Sequence, residues 1–310
     1  MVIILNILFL SGCDGEDVEV DIYTSIYPLE FVVKNIVEED YVVRSVYPRG
    51  KEVHSYEVSP KDLMRMVKSK IIFYIGLGLE WIIEDSVDST LASVPTVSVV
   101  KNISLIEVNS DEVHHHHGDD DHTGVFFDPH VWLDPNRMKI ITDNILEALF
   151  DHLELTDEQK QRYTENAANL KERLTELDGK FRELISDPQI KAKTILIDHD
   201  AYAYWKDTYG IDRIRLRTDN ESIDVSPAEM QEKINQAKKL GIRYICVTKN
   251  ELESSIIAQY MNALEIPSEN KLALHNLSTI TKKEEVEEGL DYFKIMEENI
   301  EVLRQAFPKK

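Results

Sequence analysis

The residues with the most evident chemistry lie in one acidic, histidine-rich segment, residues 109–124, with the sequence NSDEVHHHHGDDDHTG. Imidazole and carboxylate groups offer lone pairs to borderline divalent cations, and a run with so little apolar surface cannot bury itself. The segment therefore predicts a flexible accessory metal loop, with a solvated acidic insertion or an affinity tag as the alternative. Its five histidines are His114, His115, His116, His117 and His122.

Four further histidines each follow a strand-like run where it gives way to a loop or helix: His54, His130, His199 and His275. Ligands of open α/β sheets bind beyond the carboxyl ends of the strands, so two histidines from each half of the chain are expected to meet across a cleft. No HExxH or CxxC spacing links them, and the association is inferred from position alone. Taken singly, each is better explained as an ordinary buried or surface histidine, as His152 is.

The elements that must position these side chains alternate between short β-rich runs and helical patterns. Nearly continuous apolar strands in such a rhythm indicate parallel sheets covered on both faces. The sequence therefore predicts an α/β fold of two lobes, each with a parallel sheet flanked by helices. The predicted divisions are a signal and tether at 1–18, an N-terminal lobe at 19–135, a helical linker at 136–189 and a C-terminal lobe at 190–310.

One long helix is predicted at 156–187 within the linker. Thr156 and Gln159 have the spacing of a capping box, in which each side chain accepts a hydrogen bond from the other residue's backbone N–H. An apolar stripe at alternating spacings of four and three favours a helix about 45 Å long laid across both lobes, with a coiled coil as the alternative. A final helix is expected at about 283–306. The stripe consists of Tyr163, Ala167, Leu170, Leu174, Leu177, Phe181 and Leu184.

The bulk composition of the 310 residues, 43% hydrophobic and 30% charged, is typical of a folded globular protein. The net charge of −22 argues against nucleic acid or an anionic lipid surface as a partner and favours cations.

The opening run, MVIILNILFLSGC, is shorter than the roughly 20 apolar residues of a membrane span. It resembles a secretory signal with a lipobox, although the usual basic start is missing, and it predicts cleavage before Cys13 and lipid attachment to that residue. An N-terminal hydrophobic strand with a chance cysteine is the alternative. Cys246, the other cysteine, is interpreted as an inert buried strand residue.

Several motifs together resemble the metal-binding solute-binding proteins of zinc and manganese ABC importers, the cluster A-I family, over essentially the whole chain. YPRGKEVHSYEVSP is similar to the family's first ligand motif and corresponds to His54, with Glu57 nearby. DPHVWLDP is similar to the second and corresponds to His130. DHDAYAYW is similar to the third and corresponds to His199, where manganese members usually carry glutamate. The GLGLEWI stretch at 76–82, the histidine-rich loop and the long linking helix match as well.

The fourth ligand segment departs from the family pattern. Many members place an aspartate there, whereas this chain reads LHNL, which puts His275 in that slot. Four neutral imidazoles would favour tetrahedral zinc over manganese, which prefers oxygen ligands. The rivals for the fourth position are Glu57, Asp200 and a water molecule. Three acidic residues near the motifs are interpreted as acceptors for the histidine rings or as structural caps: Asp128, Asp134 and Asp198.

The resemblance implies a monomeric, lipid-anchored extracytoplasmic receptor, not an enzyme, that captures Zn²⁺ in a cleft between the lobes and delivers it to an ABC permease. Affinity should fall below about pH 6.5, because ligation requires neutral imidazole. A manganese receptor is the first alternative. A zinc hydrolase would need a metal-bound water and a base such as Glu57 or Asp200. A surface adhesin or zinc store shares every sequence feature with the receptor.

Overall fold

The computed structural model contains two four-stranded parallel sheets. The structure describes residues 19–51, 53, 56–108, 125–216, 225–250 and 255–310. Cys13, His54 and the histidine-rich loop at 109–124 lie outside the described residues, so the predictions made for them stay predictions.

The first sheet has the strand order β2-β1-β3-β4, and its strands pair in parallel. Its central strands β1 and β3 are largely buried, as expected for a sheet covered on both faces. The strands are β1 (Ile22–Thr24), β2 (Val43–Ser45), β3 (Ile71–Tyr74) and β4 (Thr96–Ser98). The helices of this half are α1 (Tyr27–Val37), α2 (Pro60–Met66) and α3 (Trp81–Ser86).

A short antiparallel ribbon and two helices connect this half to the next. The ribbon pairs β5 (Glu107–Val108) with β6 (Phe126–Phe127), and it was not anticipated from the sequence. The two helices are α4 (Pro135–His152) and α5 (Asp157–Ser186).

The prediction of the long helix is confirmed in its extent, its cap and its buried face. Thr156 is the N-cap of α5 and forms both halves of the capping box with Gln159. All seven residues of the predicted stripe are buried. They pack α5 against α1, α4 and α9, so one helix contacts elements from both halves of the chain.

The second sheet has the order β10-β9-β7-β8 and is parallel in the same way. Cys246 is fully buried in β9, where burial raises the pKa of its thiol to about 12, in agreement with an inert core residue. The strands are β7 (Thr194–Ile197), β8 (Asp212–Arg215), β9 (Ile245–Thr248) and β10 (Lys271–Leu274). The helices are α6 (Ala203–Tyr209), α7 (Pro227–Leu240), α8 (Ile256–Leu264) and α9 (Tyr292–Ala306).

The prediction of one continuous final helix at 283–306 was wrong. A π-helical turn at Lys283–Glu287 is followed by Gly289 with a positive φ of 62°, which ends the turn. Helix α9 then starts afresh, with the Asp291 side chain accepting a hydrogen bond from the backbone N–H of Lys294.

The predicted fold class is confirmed: parallel sheets flanked by helices are joined through one long helix. One hydrophobic core runs through both halves, and a second, smaller cluster lies on the side of the second sheet that carries α7 and α8. We use the terms N-terminal lobe and C-terminal lobe for the elements around the first and second sheets. The residue boundaries assigned to these lobes stay predictions.

Candidate metal site

His130 lies just beyond β6 and is oriented by Asp128. One carboxylate oxygen of Asp128 accepts hydrogen bonds from the backbone N–H of His130 and from its Nδ1, both at 2.8 Å. A proton on Nδ1 directs the ring's lone pair to Nε2, which is how metal-binding histidines are commonly held by a neighbouring carboxylate. Both residues are buried, and the Tyr204 hydroxyl donates to the Asp128 carbonyl at 2.6 Å.

Buried aromatic side chains attach the backbone around His130 to the C-terminal lobe. Trp132 donates its indole N–H to the carbonyl of Asn276 at 2.7 Å, and Tyr292 donates its hydroxyl to the carbonyl of Trp132 at 2.7 Å. Trp205 donates to the carbonyl of Leu133 at 2.8 Å. Because these three rings are buried, each polar group needs such a partner, and the segment is held in one position.

Asp134 and Arg137 complete the attachment at the start of α4. Asp134 caps the helix and also pairs with the Arg137 guanidinium at 2.7 Å. The same guanidinium pairs with Asp207 of α6 at 2.6 Å and donates to the carbonyl of Ser104 at 3.0 and 3.1 Å. The interpretation of Asp134 as a structural cap is therefore confirmed.

His199 lies two residues beyond the end of β7 and faces His130. Their ring centroids are 5.9 Å apart and the ring planes are nearly perpendicular, at 86°. His199 is half-buried, and the preceding Asp198 is buried, with its backbone N–H donating to the carbonyl of Cys246. Two of the four predicted ligands, one from each side of the chain, are thus close neighbours.

His275 is buried after β10, but its ring is engaged within the C-terminal lobe. Its Nδ1 accepts a hydrogen bond from the backbone N–H of Leu277 at 2.9 Å, which assigns the proton of the neutral ring to Nε2. That Nε2 lies 3.7 Å from a carboxylate oxygen of Glu284, beyond a direct hydrogen bond. Asn299 fixes the backbone of His275 with two hydrogen bonds of 2.8 Å. In this orientation the ring presents an N–H and no lone pair.

Glu284 is a buried carboxylate surrounded by donors. Lys249 pairs with it at 2.9 Å, Asn250 donates to both oxygens, and the backbone and hydroxyl of Thr281 donate at 2.9 and 2.8 Å. Burial alone would raise the pKa of Glu284, but these donors together with the nearby His275 hold that pKa far below its ordinary value. Glu284 is therefore an anion that lies on the Nε2 side of the His275 ring.

The two carboxylates considered as alternative ligands differ in their surroundings. Asp200 is buried and bonded to Arg213, with Arg215 also 3.6 Å away, so its charge is already balanced. Glu57 is exposed.

Of the predicted ligands, the structure brings His130 and His199 together and leaves His275 facing Glu284. Within the described ranges, no three side chains among histidine, cysteine, aspartate and glutamate form a group that could hold a metal ion. His54 belongs to none of those ranges, and the identity of the third and fourth ligands stays a prediction.

Sequence reasoning assigned no specific role to the aromatic residues that hold the His130 segment. The available signal was their type: buried tryptophan and tyrosine carry a polar group that must find a partner. Their partners are backbone carbonyls distant in sequence, which spacing alone does not reveal.

Comparison with known families extends the match over nearly the whole chain. The model of the family described as zinc-uptake complex component A, periplasmic, matches residues 22–306. Across the part of the chain that the structure describes, no helix combines the length and apolar character needed to cross a bilayer.

Individual relatives are named for two different metals. The zinc-binding protein AdcA of Streptococcus pyogenes serotype M3 is 28% identical over 297 residues, which cover 92% of this chain and 56% of that protein. The chain thus spans about half the length of this curated relative. The manganese-binding lipoprotein MntA of Halalkalibacterium halodurans is 27% identical over 257 residues, 79% of each chain.

A solved structure supports the architecture. The Zn(II)-bound ZnuA-like domain of Streptococcus pneumoniae AdcA superposes with a TM-score of 0.73 at 25% sequence identity, covering 93% of this chain and 99% of that one.

Proposed function

Because the chain belongs to the family of periplasmic zinc-uptake complex components, we propose that it is an extracytoplasmic receptor that captures Zn²⁺ between its lobes and delivers it to the permease of an ABC importer. The observation that carries the proposal is the facing pair His130 and His199, with Asp128 directing one ring's lone pair to Nε2. The zinc-binding relatives, AdcA among them, support zinc as the cargo.

The proposed ligands are His54, His130 and His199, with His275 as the predicted fourth. Neutral nitrogen ligands favour zinc. For His275 to bind zinc, its Nδ1 would have to release the Leu277 N–H, either to bind the metal itself or to take up the ring proton so that Nε2 offers its lone pair. Manganese is the alternative cargo, supported by the MntA relative and requiring oxygen ligands.

Delivery is proposed to involve only slight closure of the lobes, since α5 packs against elements of both. Lipid attachment at Cys13 would keep the receptor beside its permease, as the name of the lipoprotein AdcA of Streptococcus pneumoniae supports. The histidine-rich loop is proposed to raise the local zinc concentration. Its deletion should slow loading and leave the central site intact.

The hydrolase alternative lacks comparable support. Of its two candidate bases, Asp200 is engaged with Arg213 and Arg215, and Glu57 is exposed. The zinc-binding relatives are named for binding and not for a reaction.

The test is calorimetric titration of the chelator-stripped full chain with Zn²⁺ and Mn²⁺. We expect one tight zinc site that survives deletion of residues 111–123. His130→Ala and His199→Ala should each weaken zinc binding more than about 100-fold, because losing a ligand costs more than losing its hydrogen-bonding partner. His152→Ala, which changes an exposed histidine of α4, is the matched control.

His275→Ala decides the fourth ligand in the same titration. A loss of zinc affinity as large as that of His130→Ala would establish His275 as a ligand. A small loss would mean that His275 is a structural residue beside Glu284. A preference for manganese would mean that a carboxylate completes the site. Loss of all tight binding on deleting the loop would overturn the central site.

A further inference from the structure

Arg49 joins the two lobes through one guanidinium group. In the N-terminal lobe it forms a two-pronged pair with Glu30 of α1, with N–O distances of 2.7 and 3.0 Å. Its other edge forms a second two-pronged pair with Glu285 of the π-helical turn, at 2.9 and 3.0 Å. The planar guanidinium is suited to such paired contacts, which an ammonium group does not reproduce.

The residue after Arg49 strengthens this contact. The backbone N–H of Gly50 donates to the carbonyl of Ile280 at 3.0 Å and to the hydroxyl of Thr279 at 2.9 Å. Gly50 has a φ of +75°, and a Cβ at this position would lie 3.4 Å from a methyl group of Thr281. Glycine thus permits both the turn and the close approach of the two backbones.

The two halves of the Arg49 contact differ in burial. Glu30 has a side-chain exposure of 3% and also pairs with Lys34 and accepts from the backbone of Ser45. Glu285 has a side-chain exposure of 34%, and Arg49 holds the pKa of its carboxyl below the ordinary value. A buried pair is costly to break, whereas a partly exposed pair is weaker and screened by salt. The Glu285 half is therefore the separable one.

The segment that receives Arg49 also touches a predicted ligand. Residues 279–285 hold Glu285 toward Arg49, while the adjacent Glu284 faces His275. On the other side, Arg49 precedes His54 by only five residues in the sequence. The contact therefore joins two segments that lead to predicted ligands in different lobes.

We propose that the Arg49–Glu285 pair is a latch between the lobes. When closed, it holds residues 47–51 on residues 279–285 and slows the loss of zinc; when opened, it speeds release. Arg49 and Glu285 are positioning residues and do not contact the metal. The effect on zinc rests on the receptor function proposed above, whereas the latch itself does not.

The test breaks the Arg49–Glu285 pair by reversing the charge at Glu285, with the variant Glu285→Lys in the full chain. Glu287→Lys, an exposed position on the same turn, is the matched control, and Glu285→Asp tests rescue by a shorter carboxylate. Hydrogen exchange of the metal-free protein reports the Gly50 amide. Zinc release to a chromophoric chelator is followed by stopped flow, and calorimetry measures zinc binding.

We expect Glu285→Lys to increase exchange at Gly50 and the zinc release rate, each roughly tenfold, the scale set by loss of a charge-assisted pair. Glu287→Lys should change neither, and Glu285→Asp should restore part of both. The melting temperature should stay near that of the control.

Unchanged exchange at Gly50 in Glu285→Lys would overturn the latch. Raised exchange with an unchanged release rate would overturn its control of zinc. If the unaltered protein bound no zinc, the receptor function would fail and the release effect with it, while the exchange measurement would still decide whether the latch exists.

Discussion

Two segments that precede the long helix α5 contact the C-terminal lobe, and they are held by different kinds of contact. The segment at 128–134 is attached through buried indole and phenol groups, such as that of Trp132, which donate hydrogen bonds to backbone carbonyls. The segment at 47–51 is attached through the partly exposed Arg49–Glu285 pair and the backbone of Gly50.

The difference separates a fixed attachment from a releasable one. Buried hydrogen bonds with full packing around them are insensitive to salt and costly to lose. A partly exposed ion pair is weaker and is screened by ions. One of the two proposed metal-binding segments is therefore expected to be rigid, while the other can yield.

The largest expected effect comes from removing the central ring of the fixed attachment. Trp132 is fully buried, so Trp132→Ala should lower the free energy of unfolding by about 3–5 kcal/mol through lost packing and an unpaired Asn276 carbonyl. Urea unfolding of the metal-free protein measures this. Trp81→Ala, at a half-buried position of α3, is the control and should lower the free energy of unfolding by less. An equal loss in both variants would mean that Trp132 stabilises the fold no more than an ordinary half-buried tryptophan does.

A smaller effect is expected within the fixed segment when the carboxylate that orients His130 is neutralised. Asp128→Asn should weaken zinc binding by about 10–100-fold, because the amide no longer offers a charged acceptor to Nδ1. Competition with a chelator of known affinity provides the measurement, and Asp151→Asn at an exposed position of α4 is the control. Unchanged affinity in Asp128→Asn would contradict the proposed orientation of His130.

The smallest expected effect is that of salt on the two attached segments, and it needs no mutation. Raising the ionic strength from 0.1 to 1 M shortens the screening length from about 10 to about 3 Å. Hydrogen exchange in the metal-free protein should then increase at Gly50 by a few-fold and stay constant in 130–134. Parallel changes in both segments would mean that salt acts on the whole fold and not on the Arg49–Glu285 pair.

Much of the frame could be predicted because its signals are local. The capping box of Thr156 and Gln159 and the apolar spacing up to Leu184 lie within one helix, and α5 follows them closely. The break before α9 was missed because the charged run from 283 continued the helical pattern past Gly289, whose backbone conformation the pattern did not register.

The site was less predictable because ring orientation depends on distant partners. Position after a strand identified His130 and His199 as neighbours, and they are. The same rule gave His275, but its ring is fixed by Leu277 and Glu284, and its backbone by Asn299, 24 residues further along the chain. Arg49 gave no signal at all, since Glu285 is 236 residues away.

The packing of α9 has a consequence for the order in which the protein is completed during synthesis. Phe31 of α1 stacks on Tyr292 and makes an edge contact with Phe293, each with ring centroids 5.7 Å apart. The strands of the first sheet are all synthesised by residue 98, yet Tyr292 and Phe293, the rings of α9 that pack on Phe31, are added much later. During synthesis the Phe31 side of α1 therefore lacks these partners until α9 has been made, and transiently exposed apolar surface of this kind is what chaperones bind.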